Sequence, residues 1–112
     1  MSGVVFHRLD RDCIVRRLAR YAREELARRP EVREVVLIGS LARGDWSARS
    51  DADVVIVVDD AREPGPFRGV EYVPSERVGV AVDLLVYTPD ESRTWSPRFT
   101  REVERGIVLY RR

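Results

Sequence analysis

Apolar and polar positions along the chain divide it into one helical segment followed by several short strands. Over residues 10–29, Ile14, Leu18, Ala22 and Leu26 recur every four residues, with Val15 and Tyr21 widening the stripe. That spacing predicts an amphipathic helix. Asp10 or Asp12 suits its N-cap, because either carboxylate can accept from the orphan N–H groups of the first turn. Pro30 closes the segment, and residues 4–9 read as a short cap or a frayed arm. Residues 33–38 and 51–58 are then apolar almost throughout, as in strands covered on both faces.

Residues 59–77 hold Pro64, Gly65, Pro66, Gly69 and Pro74, which leaves no room for a long helix; residues 69–73 read at most as a brief edge strand. Residues 78–87 predict a third strand. Thr88, Pro89 and Glu91 have the spacing of a capping box with proline at the first helical position. Pro97 interrupts that helix. A further turn or two spans about residues 98–105, where Phe99 and Val103 share a face and Gly106 supplies the stop. Residues 107–110 read as a small final strand. The pattern predicts an α/β (α+β) fold, a short mixed sheet with helices packed on it, as a single domain over residues 1–112.

Composition narrows the classes. The chain of 112 residues is 44% hydrophobic and 35% charged, as expected of a globular domain rather than a disordered one. No apolar run approaches the roughly 18 residues of a membrane span, and the N-terminus lacks the basic start of a signal peptide. Cys13 alone forms no internal disulfide, so a cytoplasmic location is the default expectation. The net charge of +1 argues against strong steering toward nucleic acid. All 20 basic residues are Arg, and Lys, Asn and Gln are absent. GC-rich coding bias favours Arg over Lys, and high-temperature life discourages the thermolabile amides; hyperthermophile proteomes tend to gain Lys, so coding bias explains at least part of the pattern, and neither reading bears on function. Seven arginines decorate the first helix; they read as a solvated face, or as a surface for a partner or a nucleic acid.

The candidate chemistry centres on residues 39–53. Gly39-Ser40 turns the chain out of the first strand. Such a turn exposes backbone N–H groups to a phosphate, although most Gly-Ser turns only reverse the chain. Asp51 and Asp53 open the second strand from one face, with Cα atoms roughly 6.7 Å apart. They either share cations or are simply solvated. Asp83 lies within Val80-Ala81-Val82-Asp83-Leu84-Leu85-Val86, an apolar setting that implies burial and so demands an Arg, a backbone donor or a metal as partner. If the third strand pairs beside the second, three carboxylates meet at one sheet edge. Oxygen-only ligands favour Mg²⁺ or Mn²⁺ over Zn²⁺. With no Lys, a Walker-type phosphate loop is excluded.

Gly39-Ser40, ten intervening residues and Asp51-Ala52-Asp53-Val54 together resemble the signature of the polymerase β-type nucleotidyltransferase superfamily. Arg43-Gly44 and Ser50 within the spacer are similar to its minimal nucleotidyltransferase branch. Val82-Asp83-Leu84-Leu85-Val86-Tyr87-Thr88 resembles its third-carboxylate strand, and Gly106-Ile107-Val108-Leu109-Tyr110 its ending. The resemblance spans about residues 33–110. It implies the polymerase β-like fold. Asp51 and Asp53 then hold Mg²⁺ and the nucleotide phosphates, Asp83 helps with the second metal and activates the attacking hydroxyl, and Gly39 and Ser40 bind the triphosphate. Arg43 and Arg49 either compensate phosphate charge or pair with Asp45 or Asp51. Trp46 either stacks on a base or anchors the loop.

The resemblance further implies transfer of a nucleoside monophosphate, AMP from ATP, to an acceptor hydroxyl. Minimal members act as antitoxins toward small helical HEPN-type proteins and adenylylate them on Tyr. Larger members carry an additional helical domain, so an acceptor site shared with a partner is expected. The alternative is a non-catalytic module that neutralises its partner by contact.

Overall fold

The computed structural model describes residues 3–45, 51–59 and 69–112, with side chains from Arg11 onward. β1 (Val32–Ile38) runs through the centre of a four-stranded sheet. It pairs antiparallel with β2 (Ala52–Val58) on one side and with β4 (Ile107–Arg111) on the other. β3 (Val82–Tyr87) lies parallel to β2 at the edge, giving the order β3–β2–β1–β4. This is the expected short mixed sheet.

The unbroken apolar runs are explained by cover on both faces. α1 (Gly3–Glu24) supplies Ile14, Leu18, Tyr21 and Ala22 to the larger core, where they join Val35, Leu37, Val54 and Ile56. The opposite face buries Val36, Ile38 and Val55 beneath Trp95, Phe99 and Val103. Phe99 and Val103 belong to α4 (Pro97–Glu104), which Ser96 caps by accepting from the Phe99 N–H at 3.1 Å. Tyr87, Trp95 and Phe99 meet edge to face at 4.9–5.9 Å, a geometry in which positive ring edges address negative faces. α3 (Pro89–Ser92) begins with the anticipated capping box between Thr88 and Glu91.

Four local expectations are corrected. α1 starts at Gly3 and ends at Glu24, followed by a 3-10 turn at Leu26–Arg28. No Gly or Pro interrupts residues 4–24, so neither Asp10 nor Asp12 stands at a helix start. β3 begins at Val82 rather than residue 78, because Gly79 at φ +109° breaks the extended run. Residues 70–72 form a 3-10 turn instead of an edge strand. Tyr72 ties that turn to the rest: its hydroxyl donates to Glu31 at 2.9 Å, and its carbonyl accepts from the Tyr21 hydroxyl. Gly106 is not a left-handed stop. It is small because a Cβ there would lie 2.6 Å from the Leu37 carbonyl oxygen, so the α4–β4 corner presses directly on β1. Among the described residues, no helix is long and apolar enough to cross a membrane.

Candidate functional site

Sheet register assembles the site. Ile38 at the end of β1 pairs with Asp53, and Asp53 stands level with Asp83 on β3. Alternation sends Val54 and Ile56 into the α1 core, and Val55 into the core beneath α4. Asp53 therefore shares the face of Val55, and Asp83 that of Leu85 and Tyr87. Asp51 lies one residue before β2. The edge thus carries, across three adjacent strands, a glycine turn and carboxylates from β2 and β3.

Gly39 makes this close approach feasible. Its backbone sits at φ +84°, ψ −163°, a conformation that is essentially glycine's alone. A Cβ there would fall 2.7 Å from Asp53 Oδ2. Gly39 is the N-cap of α2 (Ser40–Arg43), and Ser40 is its first helical residue. Gly44 closes this single turn at φ +92°, its N–H donating to the Ser40 carbonyl at 2.9 Å. Leu41 is fully buried and anchors the turn to the core. Arg11 on α1 braces it further, donating from Nε to the Leu41 carbonyl at 3.0 Å. No sequence motif singles out Arg11.

The charges are unbalanced. Burial pushes the Asp53 carboxyl above its ordinary range, and Asp83, Asp51 and Glu102 push it the same way, against the opposing effect of Arg43. Glu102, on α4, is a fourth acidic group that the linear motif leaves out. Its position three residues beyond Phe99, which packs against the sheet, is the signal that could have found it. Arg43 is exposed, and pairs with Asp45 at 3.4 Å and Glu102 at 3.9 Å. The structural alternative for Arg43 is thus the one observed.

Asp83 requires a correction. It is exposed, although its apolar neighbours predict burial. β3 is an edge strand in which only Val86 is buried, and Val82 and Leu84 turn to the opposite face. The desolvation penalty that demanded a partner therefore does not arise; register alone brings Asp83 to Asp53. Arg49, Ser50 and Trp46 lie outside the described residues, as do Pro64, Gly65 and Pro66.

The donor chemistry fits a hard divalent cation, since all three groups offer oxygen and mutual repulsion favours a positive charge among them. Their placement is open. Among the described residues, no three His, Cys, Asp or Glu side chains already form a metal-holding group.

The family model for the nucleotidyltransferase domain matches residues 19–109. No curated protein matches the chain. Among solved structures, a Sulfolobus solfataricus protein assigned as a nucleotidyltransferase is similar at 23% identity and TM-score 0.64, over 92% of this chain and 85% of that one. A toxin–antitoxin with AMP-PNP is similar at 19% identity and TM-score 0.60, over 88% of this chain and 73% of that one. A toxin–antitoxin MntA–HpeT carrying two Asp-to-Glu substitutions is similar at 16% identity and TM-score 0.57, with the same coverage of 88% and 73%. The fold is therefore that of these proteins, and the family match covers most of the chain. With the glycine turn and the paired aspartates at one sheet edge, the chain belongs to the nucleotidyltransferase domain family.

Proposed function

We propose that this nucleotidyltransferase transfers AMP from ATP to a hydroxyl of a partner protein, a Tyr of a HEPN-type toxin, and so acts as an antitoxin. The observation that carries the reading is the register of Asp53, level with Asp83 and in contact with the Gly39 turn. Support also comes from two neighbours of the same fold. One is a toxin–antitoxin with AMP-PNP, and the other a toxin–antitoxin altered at two aspartates two positions apart, the spacing of Asp51 and Asp53.

Asp51 and Asp53 are the residues that would hold Mg²⁺ or Mn²⁺, with Asp83 beside them. When bound, the ion neutralises phosphate charge and stabilises the oxygens entering and leaving phosphorus. The protein's own groups do the rest. The Gly39 turn would offer backbone N–H groups to phosphate beside the Asp53 carboxylate, and Ser40 offers a hydroxyl donor. Asp83, exposed at the outer strand, accepts the proton of the acceptor hydroxyl as its oxygen attacks the α-phosphorus. The bond to the bridging oxygen of the β-phosphate breaks, and pyrophosphate leaves with the electron pair.

The test is transfer of label from α-labelled ATP, with Mg²⁺, to a small helical HEPN-type protein supplied as candidate partner. Transfer abolished by Asp53→Ala supports the proposal; no transfer, or undiminished transfer by the variant, sinks it. The exposed arginines of α1, Arg16, Arg17, Arg20 and Arg23, favour a second reading, neutralisation by contact alone. Under that reading, Asp51→Ala/Asp53→Ala neutralises the toxin as well as wild type does.

A further inference from the structure

Behind the outer strand, on the sheet face away from the carboxylates, two hollows meet. One is an apolar groove of about 260 Å³ walled by Val73, Pro74, Val78, Val80, Val82 and Leu84. The other is a cleft of about 580 Å³ between α1 and residues 75–78, with the buried Tyr21 on its wall. Residues 75–78 border both, so the two form one continuous surface. Val82 and Leu84 pack toward the α1 core while Asp83 alternates to the other face. An occupant of the groove therefore leaves the carboxylates uncovered.

The apolar half is exposed but firmly held. Val70 and Val73 are 66% and 60% exposed, the highest values of any large hydrophobic side chain among the described residues. Three residues apart along a 3-10 turn, they stand on one side of it. The chain is anchored on both sides of Val73. Tyr72 is buried and donates to Glu31 at 2.9 Å. Ser75 donates from its N–H and from its hydroxyl to Glu25, each at 3.0 Å, and Val78 is buried. Anchored valines beside an apolar groove, rimmed by charge, suit contact with another protein.

The charges say what kind of contact. The cleft carries Arg17, Arg20, Arg28 and Arg77 against Glu24, Glu25 and Glu76. Arg20 pairs with Glu24 at 3.0 Å, and Ser75 engages Glu25. Among the described residues, Arg17, Arg28 and Arg77 pair with no carboxylate, which leaves three guanidinium groups against Glu76. Arg17 lies over the corner at Gly79, where a Cβ would fall 3.7 Å from its Nη1. The complement is an apolar stripe bordered by carboxylates. A partner strand would find no ladder at this rim, because β3 begins only at Val82, Pro74 has no N–H and Gly79 turns the chain at φ +109°. Side chains are what the surface offers, and a helix laid in a groove reads side chains.

We propose that this surface docks an amphipathic helix of the partner protein, with apolar side chains in the groove along Val73 and Leu84 and Asp or Glu side chains against Arg17, Arg28 and Arg77. This rests on the reading that the chain engages a protein partner, and not on nucleotidyl transfer itself.

Fluorescence anisotropy of the full chain with a fluorescein-labelled helical peptide of about 14 residues, or four turns, tests the surface without ATP or metal. The peptide carries Leu along one face and Glu along its border. Binding is saturable, and at least tenfold weaker when Gln replaces the Glu residues or Ser the Leu residues. Val73→Asp and Arg17→Ala/Arg77→Ala each weaken it at least tenfold. Arg98→Ala/Arg101→Ala, on the helix that covers the opposite sheet face, changes it little. All these side chains are exposed, and circular dichroism checks that each variant is folded. No binding by wild type, or affinity unchanged by the first two variants, overturns the proposal. A wild-type dimer in sedimentation that Val73→Asp splits also overturns it, and assigns the groove to a second copy of the chain. Binding of a single-stranded RNA oligonucleotide in place of the peptide overturns it in favour of nucleic acid. Peptide binding with the expected dependences, but no label transfer to the HEPN-type protein, upholds the surface and overturns the transfer reading alone.

Discussion

Replacing Gly39 by Ala tests the link between backbone geometry and the carboxylate cluster. At φ +84°, ψ −163°, a residue with a Cβ pays roughly 1–3 kcal/mol of backbone strain. The added methyl also meets Asp53 Oδ2 at 2.7 Å, well inside van der Waals contact. The carboxylate cannot retreat freely, because Asp53 is part-buried in a strand paired on both sides. The expected loss is at least roughly 1–3 kcal/mol from strain, with the steric contact added to it, a fall in Tm on the order of 5–20 °C or more for a domain near this size. Urea or thermal unfolding measures it. A double-mutant cycle with Asp53→Ala separates the two causes. Removing the carboxylate relieves the steric part and leaves the backbone strain, so Gly39→Ala costs less in the Asp53→Ala background. A Gly39→Ala variant as stable as wild type would refute the reasoning, and equal cost in both backgrounds would show that the methyl does not meet Asp53.

Three further outcomes follow from the same geometry. The raised Asp53 pKa means that the folded state binds this proton more tightly than the unfolded chain. Its contribution to stability therefore falls as pH rises from the unfolded to the folded pKa. Asp53→Asn should then be more stable than wild type at pH 7 without metal, with the advantage shrinking in acid; urea unfolding across pH checks this. Asp83→Asn should unfold within about 0.5 kcal/mol of wild type, as expected of an exposed side chain, while losing label transfer to the toxin. Gly106→Ala should cost about 1–3 kcal/mol by thermal melting, since the Leu37 carbonyl 2.6 Å from the new Cβ belongs to the central strand.

Much of the architecture was legible because its causes are local. Val35, Val36, Leu37 and Ile38 are apolar without alternation because β1 has a core on each face. Thr88 and Glu91 carry a complete capping box in their spacing. Asp51 and Asp53 declare a shared face by the two-residue period of a strand. What escaped depends on which strands are neighbours. Asp83 reads as buried because a linear run cannot tell an edge strand from a central one. Glu102 and the arginines at 98, 101 and 105 read as ordinary surface charge, because only the packing of α4 against β1 brings them to Gly39. Gly106 looks like a helix stop in sequence and proves to be a contact with β1 in space. The glycine turn itself was legible, but the pressure of Asp53 beneath it required the sheet register.

The central claim is that the Gly39 turn and the Asp51–Asp53 pair together bind a nucleoside triphosphate with a divalent cation. Titration of the protein with AMP-PNP, in Mg²⁺ and separately in EDTA, tests it directly. The account predicts saturable binding that depends on Mg²⁺ and weakens at least about tenfold in Asp51→Asn/Asp53→Asn, equivalent to about 1.4 kcal/mol. Absence of binding, or binding indifferent to both Mg²⁺ and the two substitutions, would contradict it.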